Sequence, residues 1–176
     1  MTWPATALPI VYLRPGQMHI ADHPSIVQTV LGSCVSVTFF NSRFSLGSIC
    51  HGLLPRCPGK VKCEDGCTES FKYVECSVKA MIEQFRRAGI GISGIDAKVF
   101  GGADMFDVHE TGSVAKTVGF QNITTALGIM QQEGIRVVAR DVGGTQGRKL
   151  LFYPHTGEVL MKRVMKSVYD AREMHP

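Results

Sequence analysis

The sequence predicts a mixed α/β sandwich, and three observations carry that prediction. Short runs rich in β-branched and aromatic residues recur along the chain, two segments space their apolar residues as a helix does, and the composition is 44% hydrophobic against 19% charged. Such a chain can bury a core between layers of secondary structure. Its 176 residues make one domain of ordinary size, taken here as 1–176. Apolar stretches such as Leu8 to Leu13, interrupted by Pro9, fall far short of the roughly 20 residues that cross a bilayer. The opening Met-Thr-Trp-Pro-Ala-Thr-Ala has neither the basic start nor the apolar core of a secretory signal, so a cytoplasmic protein is expected.

The elements follow in order. Ile10 to Leu13 and Met18 to Ala21 are short apolar runs set between Pro and Gly, which predicts strands and turns. Ser25 to Phe40 is dense in β-branched and aromatic residues and predicts extended chain, with Gly32 as a bulge or a point of close approach. Asn41-Ser42-Arg43 is a turn, and Phe44 to His51 is the returning strand of a hairpin that ends at Gly52-Leu53-Leu54-Pro55. Residues 56–70 are polar, contain glycine and three cysteines, and form a loop longer than most connections. Tyr73 to Ala88 carries Val74, Val78, Met81, Ile82 and Phe85 at helical spacing and ends at Arg86, Arg87 and Gly89. Ala97 to Phe100 is a strand entering Gly101-Gly102, and Asn122 is the expected N-cap of a second helix that runs through Gln132 to Gly134. Ile135 to Ala139 and Leu150 to Tyr153 complete about eight strands beside two helices.

Charge says little about partners. The net charge of +4 comes from 19 basic and 15 acidic residues without a long run of either, and Lys162, Arg163 and Lys166 form a small group that suits a solvated face better than a nucleic-acid footprint.

The chemistry lies with the cysteines. There are six: Cys34, Cys50, Cys57, Cys63, Cys67 and Cys76. In a reducing compartment they point to catalysis, metal or burial rather than to disulfides. Cys34 follows Leu31-Gly32-Ser33, small residues whose backbone amides can approach a bound carbonyl, which makes Gly32 and Ser33 candidate substrate-binding positions. A nucleophilic thiol needs a partner to take its proton, and His51 is the candidate. An even hairpin loop centred between Ser42 and Arg43 pairs Cys34 with His51, whereas an odd loop centred on Ser42 pairs it with Cys50, and the turn sequence chooses neither. The set Cys57-x5-Cys63-x3-Cys67-x8-Cys76 matches no Cys-x2-Cys knuckle, but it holds enough thiols to be a candidate zinc site; otherwise no cofactor is expected. Gly101-Gly102 and Gly143-Gly144-Thr145-Gln146-Gly147-Arg148-Lys149 lack the spacing of a phosphate-binding P-loop and are read as tight turns.

Four blocks occur together. Thr29-Val30-Leu31-Gly32-Ser33-Cys34-Val35-Ser36-Val37, His51-Gly52-Leu53-Leu54-Pro55, Lys98-Val99-Phe100-Gly101-Gly102-Ala103, and Asp141-Val142-Gly143-Gly144 with Gly147-Arg148-Lys149 resemble the signature blocks of the CheD family of chemoreceptor glutamine deamidases. The resemblance implies hydrolysis of receptor glutamine side chains to glutamate with release of ammonia, with Cys34 as nucleophile, His51 as general base and Thr29 as the third member. It also implies an α/β/β/α sandwich of mixed sheets like that of bacterial toxin glutamine deamidases, a chemoreceptor coiled coil as protein substrate, and the chemotaxis phosphatase CheC as a partner. Gly119-Phe120-Gln121-Asn122 resembles a further family segment in which arginine usually stands where this chain has Gln121. A non-enzymatic adaptor that binds chemoreceptors or CheC is the alternative; an activated Cys34, alkylated faster than the other five thiols, separates the two.

Overall fold

The computed structural model describes residues 7–58, 70–104 and 117–165. Within them lie β1 (Ile10–Tyr12), β2 (Met18–Ala21), β3 (Ile26–Leu31), β4 (Val35–Asn41), β5 (Leu46–Cys50), α1 (Val74–Arg87), β6 (Asp96–Gly101), α2 (Val118–Glu133), β7 (Arg136–Val142), β8 (Gly147–Tyr153) and β9 (Glu158–Val164). The strands form a four-stranded sheet ordered β1-β3-β8-β9 and a five-stranded sheet ordered β2-β5-β4-β6-β7. Both are mixed, since β1 runs parallel to β3 and β6 parallel to β7 while the other neighbours are antiparallel. The expected class, two mixed sheets with few helices, is what the chain adopts. Both described helices lie on the five-stranded sheet.

Sheet stacking explains the residue pattern of β4. Its side chains alternate between two buried environments, so the strand has no solvent face and its polar residues Ser36 and Thr38 are buried as fully as Val35, Val37 and Phe39. Val35, Val37 and Phe39 face the helices and join Val74, Val78, Met81, Ile82 and Phe85 of α1 with Ala126, Ile129 and Met130 of α2. Toward the four-stranded sheet the core is thinner: Ile49 meets Leu13, Val27 and Phe152, while Leu31, Phe100 and Leu150 form a second cluster against which Cys34 packs.

Helix ends obey local chemistry. In α1 the N–H of Gly89 reaches Arg86 O and that of Ile90 reaches Phe85 O, and in α2 Gly134 and Ile135 repeat the pattern onto Gln131 and Met130. This is the left-handed termination that glycine permits, with φ of 77° at Gly89 and 71° at Gly134.

Several sequence expectations shift. Residues 25–40 do not make one strand bulged at Gly32; the chain leaves the four-stranded sheet at Leu31 and enters the five-stranded sheet at Val35. The β4–β5 hairpin is centred later than either expected register, with Asn41 opposite Leu46, Thr38 opposite Ile49 and an isolated bridge between Val35 and Gly52. Asn41 Oδ1 accepts from the Phe44 N–H and Ser45 is left-handed at φ 48°, local features that move the turn beyond Asn41-Ser42-Arg43. Strand β9 follows β8 in a hairpin that clean alternation does not announce, because most of its side chains are exposed. Helix α2 starts at Val118, capped by Thr117, whose Oγ1 accepts from the Phe120 N–H; Asn122 is therefore not its N-cap.

Phe85 sets the thickness of the helix layer, its ring meeting Phe39 edge-on at 5.8 Å between centroids in a fully buried position. Phe85→Ala is expected to lower the unfolding free energy in urea by about 3–5 kcal/mol, the usual cost of such a cavity.

Candidate active site

The segment Gly32-Ser33-Cys34 crosses between the sheets, and its carbonyls are held by two elements, the 101–103 turn and α2. Gly32 O accepts from the Ala103 N–H at 2.8 Å, Ser33 O from Asn122 Nδ2 at 3.0 Å, and Cys34 O from the Gly102 N–H at 2.8 Å. The next residue, Val35, exchanges both backbone hydrogen bonds with Gly52. Close approach is what the glycines supply: a Cβ on Gly101, already at φ 105°, would lie 2.2 Å from Cys34 O, and one on Gly119 would lie 2.6 Å from Gly102 O. The 101–103 and 143–144 turns thus act as scaffold for the crossing. Gly143 N–H binds Gly101 O, and the buried Arg148 donates to Gly143 O and to Asp141, which also receives Arg163.

His51 follows the last residue of β5 and is clamped by its backbone, its N–H on Gln17 O at 2.9 Å and its carbonyl receiving the Gly16 N–H at 2.8 Å. The observed register puts Ser36 opposite His51. Extended to Cys34, it places Leu53 opposite the cysteine and His51 diagonally across on the same face, a separation that long side chains bridge. Cys50, the other expected partner, turns instead into the helix-side core. Thr29 comes from the opposite sheet, where it lies across from Leu150 on β8. Its Oγ1 lies 2.7 Å from His51 Nδ1 and 2.9 Å from Leu13 O. A carbonyl only accepts, so the single hydroxyl proton goes to Leu13 O and the hydroxyl oxygen accepts from Nδ1–H. This leaves Nε2 of His51 with a bare lone pair, and that buried atom has no hydrogen-bond partner among the described residues.

Burial governs the electrostatics. His51, 2% exposed, has its pKa lowered from 6.5 to about 4, since desolvation outweighs the opposing Leu13 carbonyl. Desolvation pushes the Cys34 thiol up, and its own backbone N–H works the other way. Both groups are therefore neutral at rest, a thiol and an imidazole rather than a preformed thiolate. Cys50 is held still further from ionisation, up to about 12, by complete burial.

Thr29 and His51 thus meet directly, while Cys34 lies with Gly32 and Ser33 in the crossing, one diagonal register step from His51. Of the proposed zinc set, Cys57 forms no disulfide, Cys76 lies in the first turn of α1, Cys63 and Cys67 lie outside the described residues, and no cluster of three metal-ligating side chains occurs among the described residues. Lys162 and Arg163 lie on β9; Lys166 also lies outside the described residues. Sequence reasoning missed Asn122, whose amide also reaches Leu53 O at 2.9 Å. An asparagine on the helix face that also carries Ala126, Ile129 and Met130 was the signal.

A thiol in the crossing and an imidazole oriented by a hydroxyl between the two sheets are the residue types that cysteine acyl transfer employs. The model of the family described as CheD chemotactic sensory transduction matches residues 53–163. A probable chemoreceptor glutamine deamidase CheD 2 of Geobacter sulfurreducens is 45% identical over 93% of this chain and 96% of its own length. A probable chemoreceptor glutamine deamidase CheD of Maridesulfovibrio salexigens is 34% identical over 90% and 94%. The chain belongs to the CheD family. Among solved structures, the Bacillus licheniformis hypothetical protein YfiH aligns with 73% of this chain and 51% of its own at a TM-score of 0.47 and 15% identity. No described helix is long and apolar enough to cross a membrane.

The depressed pKa of His51 links stability to pH. Between pH 6.5 and about 4 the unfolded imidazole binds a proton that the folded one does not, so stability is fully present above 6.5 and falls as acid is added. Urea unfolding is expected to show a loss of about 3 kcal/mol from this group across that window, absent in His51→Gln.

Proposed function

We propose that this protein hydrolyses glutamine side chains on chemoreceptors to glutamate and ammonia, with Cys34 as nucleophile, His51 as general base and Thr29 orienting the base. The observation that carries the chemistry is the contact of Thr29 with His51 Nδ1 at 2.7 Å, which leaves Nε2 free to take a proton. The substrate class follows the names of the relatives.

Cys34 Sγ adds to the side-chain carbonyl carbon while its proton passes to Nε2. The negative oxygen collapses, the C–N bond breaks, and His51 returns the proton to the departing ammonia. Water, deprotonated by the same imidazole, then opens the thioester and frees carboxylate and thiol. The thiol and imidazole supply nucleophile and base, so the proposal calls for no cofactor and leaves Cys57, Cys63, Cys67 and Cys76 outside the chemistry.

Receptor signalling domains are helical coiled coils, so the substrate is proposed to be read as a folded helix, and CheC as a partner that occupies the same surface. A depression of about 510 Å³ lined by Tyr12, Gln17, Met18, His19 and Phe71 adjoins the segment that clamps His51 and is the proposed place for a neighbouring helix face. The proposed setting is the cytoplasm, where receptor signalling domains lie.

Mass spectrometry of a receptor fragment, following the one-dalton gain from glutamine to glutamate, tests the reading. Cys34→Ala is expected to abolish the gain, His51→Ala to slow it roughly 100- to 10,000-fold, and Thr29→Ala to slow it less. Full activity in either of the first two would overturn the assignment. The isolated peptide around the same glutamine is expected to be a poorer substrate than the folded fragment, since it must order itself on binding.

A further inference from the structure

We infer that Asn122 is a positioning residue of this site: its side-chain amide turns the Ser33–Cys34 peptide so that the Cys34 N–H faces the reacting carbonyl. The inference rests on the proposed reaction and adds to it the group that builds one wall of the oxyanion hole.

Asn122 is completely buried in α2, a position where asparagine gains nothing from helix propensity and where its amide must find partners. Nδ2 donates to Ser33 O at 3.0 Å and to Leu53 O at 2.9 Å. Two carbonyl acceptors fix the amide's orientation, because Oδ1 could bond to neither. One side chain thereby ties the nucleophile crossing to the strand that continues from His51, from a third element that belongs to neither.

Peptide geometry converts this anchor into function. The described chain has no cis peptide bonds, and in a trans peptide the C=O of one residue and the N–H of the next point in opposite directions. Drawing Ser33 O toward α2, which packs on the five-stranded sheet, therefore aims the Cys34 N–H away from α2 and toward the layer between the sheets where Thr29 meets His51. The same reasoning applies one peptide earlier, where the Ala103 N–H holds Gly32 O and so turns the Ser33 N–H. That hold is backbone to backbone and survives any side-chain change. The Ser33–Cys34 peptide is the one whose orientation depends on a side chain. A tetrahedral intermediate on Cys34 needs donors fixed before it forms, and the loss of one typically costs about 100- to 1,000-fold in kcat.

The test is steady-state deamidation of a folded receptor fragment by the wild type, Cys34→Ala, Asn122→Asp and Asn122→Ala, with circular dichroism to confirm folding. Asn122→Asp keeps the shape and removes both donated hydrogen bonds; Asn122→Ala does so without adding a charge. The expected result is a fall in kcat of about 100-fold in both, with KM within threefold of wild type, and an iodoacetamide labelling profile of Cys34 displaced to higher pH in Asn122→Ala. Unchanged kcat in either folded variant, or a change confined to KM, overturns the inference. So does failure of both to fold, which would make the contact one of general stability. Activity retained in Cys34→Ala would instead overturn the underlying reaction and leave the two failures distinct.

Discussion

The structure hinges on the place where the chain changes sheets. Leu31 is the last residue hydrogen-bonded within one sheet and Val35 the first within the other, so residues 32–34 must span the layers without a ladder of their own. The crossing is half-buried, and carbonyls left unpaired there cost stability. Three donors from the 101–103 turn and from α2 meet that demand. With the carbonyls turned to the scaffold, the trans peptides turn the amides of Ser33 and Cys34 the opposite way. The same constraint that makes the crossing foldable also prepares it for chemistry.

Thr29 and His51 add the second link between the layers. They belong to opposite sheets, and their hydrogen bond places a polar contact between two small apolar clusters. Burial of a neutral imidazole there costs stability in acid. In exchange the tautomer is settled by a hydroxyl whose proton is committed to Leu13, and the base has an ordinary lone pair available at neutral pH. In the proposed reaction a neutral pair suits a primary amide, because the imidazolium formed during attack would be the acid that ammonia needs in order to leave.

The glycine-rich blocks have a structural explanation that matches their residue types. Gly101 and Gly119 stand where a Cβ would strike backbone, and Arg148 is buried because it closes the turn around Gly143 against Asp141. None of these side chains reaches the site. They hold the two turns that hold the crossing.

Much of this was legible in the sequence. Apolar spacing located α1 to within a residue or two, β-branched runs located the strand-rich regions, and Cys34 and His51 stood out as residue types that chemistry requires. The ordered blocks carried Thr29 with them. Local pattern could not reveal that 25–40 divides between two sheets, since a strand buried on both faces looks alike in either. Hairpin register was equally closed to it, because an asparagine side-chain bond and one left-handed serine moved the turn by a residue or more. Asn122 was misread as a cap for the same reason: asparagine is favoured at helix starts by short-range bonding, while here its partners lie 89 and 69 residues away in the chain. The sequence by itself determined the fold class, through composition and short-range periodicity, and offered candidate reactive groups through residue type and the resemblance of its ordered blocks. Only the tertiary structure decided which groups meet, which nitrogen of His51 is bare and which way the Cys34 amide points, because those depend on contacts between distant segments.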